Sequence, residues 1–278
     1  MCGLFFSCSR DEHVYPSNCL RESLSKRGPD STCTIRRAIR SNSGSSQETP
    51  SDEQKQSYSL AFLSTVLPLR GDSIVRQPQE DADSGSLLCW NGEAWKVGNE
   101  IIDGNDSQAV FNLFMKAIRP FKSSRCNTAA SYSQSIQHTI DAIASISGPY
   151  AFVFYDAPHQ RIFFGRDILG RRSLVMRNDL LGSITISSLC DCTGAGTWTE
   201  IEADGVYMLD LQKAPPSLHY EVESILSIPR LLGKSDKSMQ YTLVRLSPFV
   251  TSLETLTNAR QRHFRSSTMT AKAVQNRL

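Results

Sequence analysis

Nowhere in this 278-residue chain is there a run of about 18 apolar residues, which excludes a membrane-spanning helix built from sequence alone. The opening Met-Cys-Gly-Leu-Phe-Phe-Ser-Cys also lacks the basic leader and longer apolar stretch of a secretory signal. The expectation is a cytoplasmic protein with no membrane partner. Charge of one sign is missing too. The 30 basic and 28 acidic side chains leave a net charge of +2, so no nucleic-acid partner is expected at the level of the whole chain. The eight cysteines contain no C-x-x-C, their closest pair is Cys190-Asp191-Cys192, and no spacing fits a zinc template. No metal and no cofactor are therefore expected, and in a reducing cytosol most cysteines read as small, half-buried hydrophobes.

Two stretches lack the means to fold. Ser41 to Ser57 hold no apolar side chain, and their Ser, Gln, Glu and Pro content cannot offset the entropy of ordering, so they read as a disordered insertion between strands. Thr255 to Leu278 carry five basic residues and no acidic ones, and the apolar periodicity fades beyond about residue 215. Residues 212–278 are expected to be a poorly structured basic tail.

With 40% apolar residues, the rest can form a proper core. Gly3 to Cys8 reads as a strand, followed by a helix in which Leu20 and Leu24 share a face and which ends at Arg27-Gly28-Pro29. Tyr58 to Leu67 and Ser86 to Trp90 read as strands, the second running into the turn dipeptide Asn91-Gly92. Asp106 is a candidate N-cap for a helix carrying Val110, Phe111, Phe114 and Ile118; Ile136, Ile140, Ile143 and Ile146 make a second apolar stripe. Tyr150 to Tyr155 and Arg161 to Gly165 form an expected hairpin, and Ser183 to Ser187 and Val206 to Leu211 are further strands. Strands, then two helices, then strands again predict stacked sheets with helices outside.

The candidate chemistry begins at Cys2. Removal of Met1 places a thiol and a free α-amine on one residue, with ordinary pKa values near ~8.5 and ~8, so that residue can act as its own nucleophile and base. Any residue can follow an initiator methionine, so Cys2 needs partners. A tetrahedral oxyanion needs a side-chain amide and a backbone N–H, and Asn91 with Gly92 could supply both; an Asn-Gly pair also makes ordinary hairpin turns. A zwitterionic amino-acid substrate needs a cation and an anion. Arg70 and Asp106 are candidates, each with a plainer reading as a turn arginine and a helix cap.

Met-Cys-Gly, Arg27-Gly28-Pro29-Asp30, Trp90-Asn91-Gly92-Glu93, Asn105-Asp106-Ser107-Gln108, Gly148 to Phe152 and Phe164 to Arg172 occur in the order found in class II glutamine amidotransferases. The Gly170 to Leu174 string most resembles the asparagine synthetase domain-containing proteins, and the resemblance runs from residue 2 to about 211. It implies an α+β fold, a four-layer αββα sandwich of the N-terminal nucleophile (Ntn) hydrolase type. It further implies that Cys2 attacks the glutamine side-chain amide, Asn91 and Gly92 hold the oxyanion, and Arg70, Asp106 and Glu93 bind the substrate. Arg27, Gly28 and Asp30 would support the pocket, while Arg166, Asp167 and Gly170 would stabilise the fold or an interface. The family's synthetase branch passes ammonia to an ATP-dependent domain with a Ser-Gly-Gly-x-Asp-Ser loop, a string not found here. The implied partners are glutamine and a separate ATP-dependent synthetase domain or subunit, linking the chain to asparagine biosynthesis. The alternative is a non-catalytic module that keeps the fold as an interaction scaffold.

Overall fold

A computed structural model describes residues 1–10, 12–40, 57–119, 129–178, 183–191, 197–203, 205–212 and 244–246. In chain order, the first elements are β1 (Gly3–Arg10), α1 (Asn18–Arg27), β2 (Ser31–Arg40), β3 (Ser57–Val66), β4 (Gln79–Glu80) and β5 (Leu87–Gly92). Next come β6 (Lys96–Val97), β7 (Glu100–Ile101), α2 (Asp106–Ile118), α3 (Ala129–Ala144), β8 (Ile146–Ser147) and β9 (Tyr150–Asp156). The last are β10 (Arg161–Arg166), β11 (Val175–Asn178), β12 (Ile184–Ser187), β13 (Thr199–Glu200), β14 (Val206–Asp210) and β15 (Val244–Leu246).

Two six-stranded antiparallel sheets result, in the orders β13-β11-β12-β1-β3-β2 and β15-β14-β10-β9-β5-β4, with a small third sheet β7-β6-β8. Strand alternation sorts their side chains into layers. On the first sheet, Phe5 lies opposite Leu63 and packs with Leu20 and Leu24 of α1. Leu4, Phe6, Cys8, Leu60 and Phe62 point the other way, into the main core between the sheets. On the second sheet, Tyr155 meets Phe62 at 5.9 Å between ring centroids. Phe152 and Phe154, on the opposite face, pack on Phe114 of α2 at 5.5 and 5.0 Å. The layers are therefore α1, sheet, sheet, and α2 with α3: the αββα sandwich.

Each helix is set by local chemistry. The Ser17 side chain caps α1 by accepting from Leu20 N–H, and Lys26 and Arg27 lie in its last turn, where cations favour the helix dipole. Gly28 ends it. A Cβ there would lie 2.3 Å from the Thr65 backbone carbon, so only glycine lets the chain cross β3 this closely. The cap of α2 is Asn105, whose side chain accepts from Gln108 N–H, and Asp106 is instead the first helical residue.

Two further expectations change, and one strand has no counterpart in the sequence reading. Asn91 and Gly92 are not a turn but the end of β5, paired with Ala151 and Tyr150 of β9. Gly92 is required by packing, since a Cβ would lie 2.7 Å from the Trp90 ring and from Tyr150 Cβ. The ten-residue strand β2 escapes an apolar-run reading because it is an edge strand, and most of its side chains are partly or fully exposed. Within the expected tail, Val244–Leu246 add an edge strand beside β14. The expected insertion, apart from Ser57 at the start of β3, lies outside the described residues.

Candidate active site

Parity along two strands brings the candidate nucleophile and the candidate oxyanion donor together. In β1 the even-numbered Leu4, Phe6 and Cys8 face the space between the sheets, and Cys2 continues that series at the strand's entrance. In β5, Asn91 pairs with Ala151 and so faces the same interlayer space, while Trp90 turns to the helix side with Phe152. The two residues meet in one cleft together with Leu67, Arg70, Gly92, Glu93, Asn105, Asp106 and Arg172.

The start of β1 is tightly fixed. Gly3 N–H donates to Thr65 Oγ1 at 3.0 Å, and that hydroxyl donates to the Leu24 carbonyl at 2.7 Å, so one threonine ties the first strand to α1. Leu4 and Ser188 exchange bonds on the other side: Leu4 N–H donates to Ser188 Oγ at 3.0 Å, and Ser188 N–H donates to Leu4 O at 2.9 Å. Cys2 Sγ lies 3.8 Å from the Leu67 carbonyl, a weak donor contact. Burial pushes the Cys2 thiol above its ordinary value. Hydrogen bonding with the Leu67 backbone, the chain's α-amine and the Arg172 guanidinium oppose that rise, and Asp106 adds to it.

Asn91 is 1% exposed, and its Nδ2 is sealed from solvent with no hydrogen-bond partner. An orphaned buried amide donor costs about 1–3 kcal/mol. Here Asn91 lines the same cleft as the thiol.

The floor is a polar network. Asp106 Oδ2 accepts from Trp90 Nε1 and from Ala94 N–H, each at 2.9 Å. Trp90 N–H donates to Gln77 Oε1 at 2.7 Å, and the Trp90 ring stacks on Tyr150 with centroids 5.2 Å apart. Gln79 Nε2 donates to Ser107 Oγ at 2.8 Å, and Ser107 donates on to Asn105 Oδ1 at 2.7 Å. The Arg70 guanidinium donates to the Ala94 carbonyl at 2.6 Å and to the Ile102 carbonyl at 2.5 Å, which holds the loop around the cleft.

Of the residues singled out by sequence, Cys2, Arg70, Asn91, Gly92, Glu93 and Asp106 line this cleft. Arg27, Gly28 and Asp30 do not. Arg27 stands behind the cleft mouth, donating to Ser173 Oγ at 3.1 Å, Ser188 O at 2.9 Å and Met1 Sδ at 3.5 Å. Gly28 sets the crossing of α1 over β3, and Asp30 is exposed with its N–H donating to Val66 O at 3.1 Å. Sequence reasoning gave no role to Gln77 or Arg172. Gln77 carries no local signal, because its importance depends on reaching Trp90 N–H across space. Arg172 lay inside a recognised string, but only the folded loop shows that it enters the cleft. No group of three or more metal-ligating side chains occurs among the described residues. The described Cys2, Cys8, Cys19, Cys33, Cys89 and Cys190 are all free thiols, and no described helix is long and apolar enough to cross a membrane.

No family profile matches the chain. It is similar to asparagine synthetase domain-containing protein 1 of Bos taurus, at 30% identity over 222 residues, covering 77% of this chain and 29% of that protein. The Homo sapiens protein of that name is 32% identical over 158 residues, covering 56% of this chain and 22% of the relative. The chain therefore spans under a third of the length of the curated relatives it matches. Among solved structures, the glutamine phosphoribosylpyrophosphate amidotransferase of B. subtilis aligns at 13% identity and a TM-score of 0.36, over 76% of this chain and 47% of that one. A glutamine aminotransferase class-II domain protein from Silicibacter pomeroyi aligns at 13% identity and a TM-score of 0.32, over 76% of this chain and 94% of that one.

Proposed function

We propose that this chain, a relative of the asparagine synthetase domain-containing proteins, carries a class II glutamine amidotransferase domain of the Ntn hydrolase type, whose nucleophile is Cys2 freed by removal of Met1. The domain would run from residue 2 to 211, with 212–278 an appended segment whose Val244–Leu246 add the edge strand to the second sheet. The observation that carries the reading is the buried, unpartnered Asn91 Nδ2 sharing one cleft with Cys2. A donor left without a partner in the ground state is what a site needs when its acceptor develops only during the reaction.

In the proposed reaction the Cys2 α-amine takes the thiol proton and the thiolate adds to the side-chain amide carbon of glutamine. Asn91 Nδ2 and the Gly92 N–H hold the resulting oxyanion. The ammonium so formed returns its proton to the leaving nitrogen, ammonia departs, and a γ-glutamyl thioester remains. Water, deprotonated by the same amine, cleaves the thioester to give glutamate. Arg70 and Asp106 bind the substrate's carboxylate and ammonium, and Glu93 at the cleft wall helps to fix its amide. Ammonia would pass to an ATP-dependent, asparagine synthetase-like domain or subunit in the cytoplasm.

The test is glutamate and ammonia release from glutamine by the Met-processed protein, alongside Cys2→Ala, with intact mass used to look for the thioester. Turnover that vanishes in the variant supports the reading. A folded protein with neither product nor adduct would instead favour the non-catalytic scaffold. One observation leans towards that second reading: Arg70 already donates to two backbone carbonyls, as a structural arginine would.

A further inference from the structure

The most unusual contact at the cleft mouth involves Met1. Two guanidinium groups converge on its thioether sulfur, Arg27 Nη2 at 3.5 Å from α1 and Arg172 Nη1 at 3.3 Å from the loop after β10. A thioether is a weak acceptor, so it does little to offset two like charges brought together. Burial lowers the Arg27 pKa, and Arg172 lowers it further. Arg172 Nε is also sealed without a partner.

The loop that delivers Arg172 is built to hold it there. The buried Asp167 carboxylate accepts from Tyr150 N–H at 3.2 Å, Leu169 N–H at 3.1 Å, Arg171 N–H at 3.0 Å and Arg171 Nε at 2.9 Å. Gly170 turns the chain at φ +63°, and its carbonyl accepts from Arg166 Nη2. Ser173 Oγ donates to the Ser188 carbonyl at 2.7 Å, and Arg27 donates to both Ser173 and Ser188. One knot therefore fixes both cations beside the first residues of β1.

We propose that Arg172, with Arg27 behind it, is a positioning residue that sets the protonation of Cys2 once Met1 is removed. The inference rests on the reading of Cys2 as the nucleophile. With Met1 gone, the chain starts at Cys2, whose thiol already feels Arg172, and that residue then carries both a thiol and a new α-amine beside the two guanidiniums. Positive charge favours the thiolate over the thiol and the neutral amine over the ammonium, so it lowers both pKa values. That arms the nucleophile and keeps its base unprotonated near neutral pH. Asp106, facing the site from α2, pushes the thiol the other way. Arg70 and Glu93 are the remaining charged groups on the cleft wall. The net effect is set by which charges stand closest to Cys2.

The experiment is the pH dependence of Cys2 alkylation by iodoacetamide in the full chain, with Met1 removal verified by intact mass and the modified site by mass of the N-terminal peptide. No glutamine turnover is needed. Arg172→Gln is expected to raise the apparent Cys2 pKa by ~1 unit or more, slowing alkylation at pH 7 about tenfold. Arg172→Lys, which keeps the charge, should stay near wild type. Arg172→Met, which keeps the stem, is the second neutral variant if the glutamine variant does not fold. A neutral variant with the wild-type profile overturns the proposal, as does a lysine variant that behaves like the neutral ones. A shifted profile in a protein that releases no ammonia would sink the glutaminase reading while leaving this control of Cys2 in place.

Discussion

Two buried polar sites in this fold treat their hydrogen-bonding groups in opposite ways. At Asp167 each carboxylate oxygen accepts from two donors, three of them backbone N–H groups and one a guanidinium, and the residue is 2% exposed. In the cleft, Asn91 is just as buried, yet its amide nitrogen has no partner, and the neighbouring Cys2 thiol has only a contact of 3.8 Å. A saturated carboxylate is a structural tie, because all its stabilising partners are already present. An orphaned donor costs stability in the resting protein and gains only when an acceptor arrives. The difference separates a group whose bonds hold the fold from one left available to the proposed site.

The comparison can be broken most severely at Cys2. Cys2→Ala should lower glutamine hydrolysis by at least ~10³-fold while leaving the melting temperature unchanged, because the residue fills little of the core. Asn91→Ala should cost ~10²-fold or more in kcat, with little loss of stability, since its Nδ2 makes no bond to lose. At Asp167 the pattern reverses. Asp167→Ala should destabilise the fold by about 3 kcal/mol in urea unfolding, because it strands buried N–H groups and the Arg171 guanidinium together. Gly28→Ala, which forces a Cβ onto the Thr65 backbone, should destabilise by about 1–3 kcal/mol. The smallest effect is a contrast among thiols. Burial pushes Cys8 and Cys89 up to about 12. A pH of 8 lies far below that value, so both stay protonated and should resist iodoacetamide, while the exposed Cys19 and Cys190 react. Peptide mapping after a timed alkylation separates the two groups.

Much of the sandwich was legible because its apolar residues recur at the spacing of strands or helices. Leu20 and Leu24, the Val110 to Ile118 stripe and the β9–β10 hairpin all lie where periodicity places them. The edge strand β2 was not, because a strand flanked on one side only has no need of a continuous apolar run. Asn91-Gly92 misled for a related reason. The pair has turn chemistry, but its glycine is demanded by the Trp90 and Tyr150 rings packed around it, a requirement invisible before β5 and β9 are paired. The cap of α2 shifted by one residue because Asn and Asp serve equally well in that position.

The candidate site divides in the same way. Sequence alone could single out Cys2, Asn91, Gly92 and Asp106, since the chemistry of an acyl transfer names the residue types and the order of strings narrows the positions. The placement of Arg172 on the Met1 sulfur beside Cys2, the grip of Arg70 on two carbonyls and the reach of Gln77 to Trp90 N–H were decided only by tertiary structure. Local composition determines which groups a segment carries and which face they share. Which of those groups find a partner, and which are left waiting for one, depends on segments distant in sequence that meet only when the two sheets close.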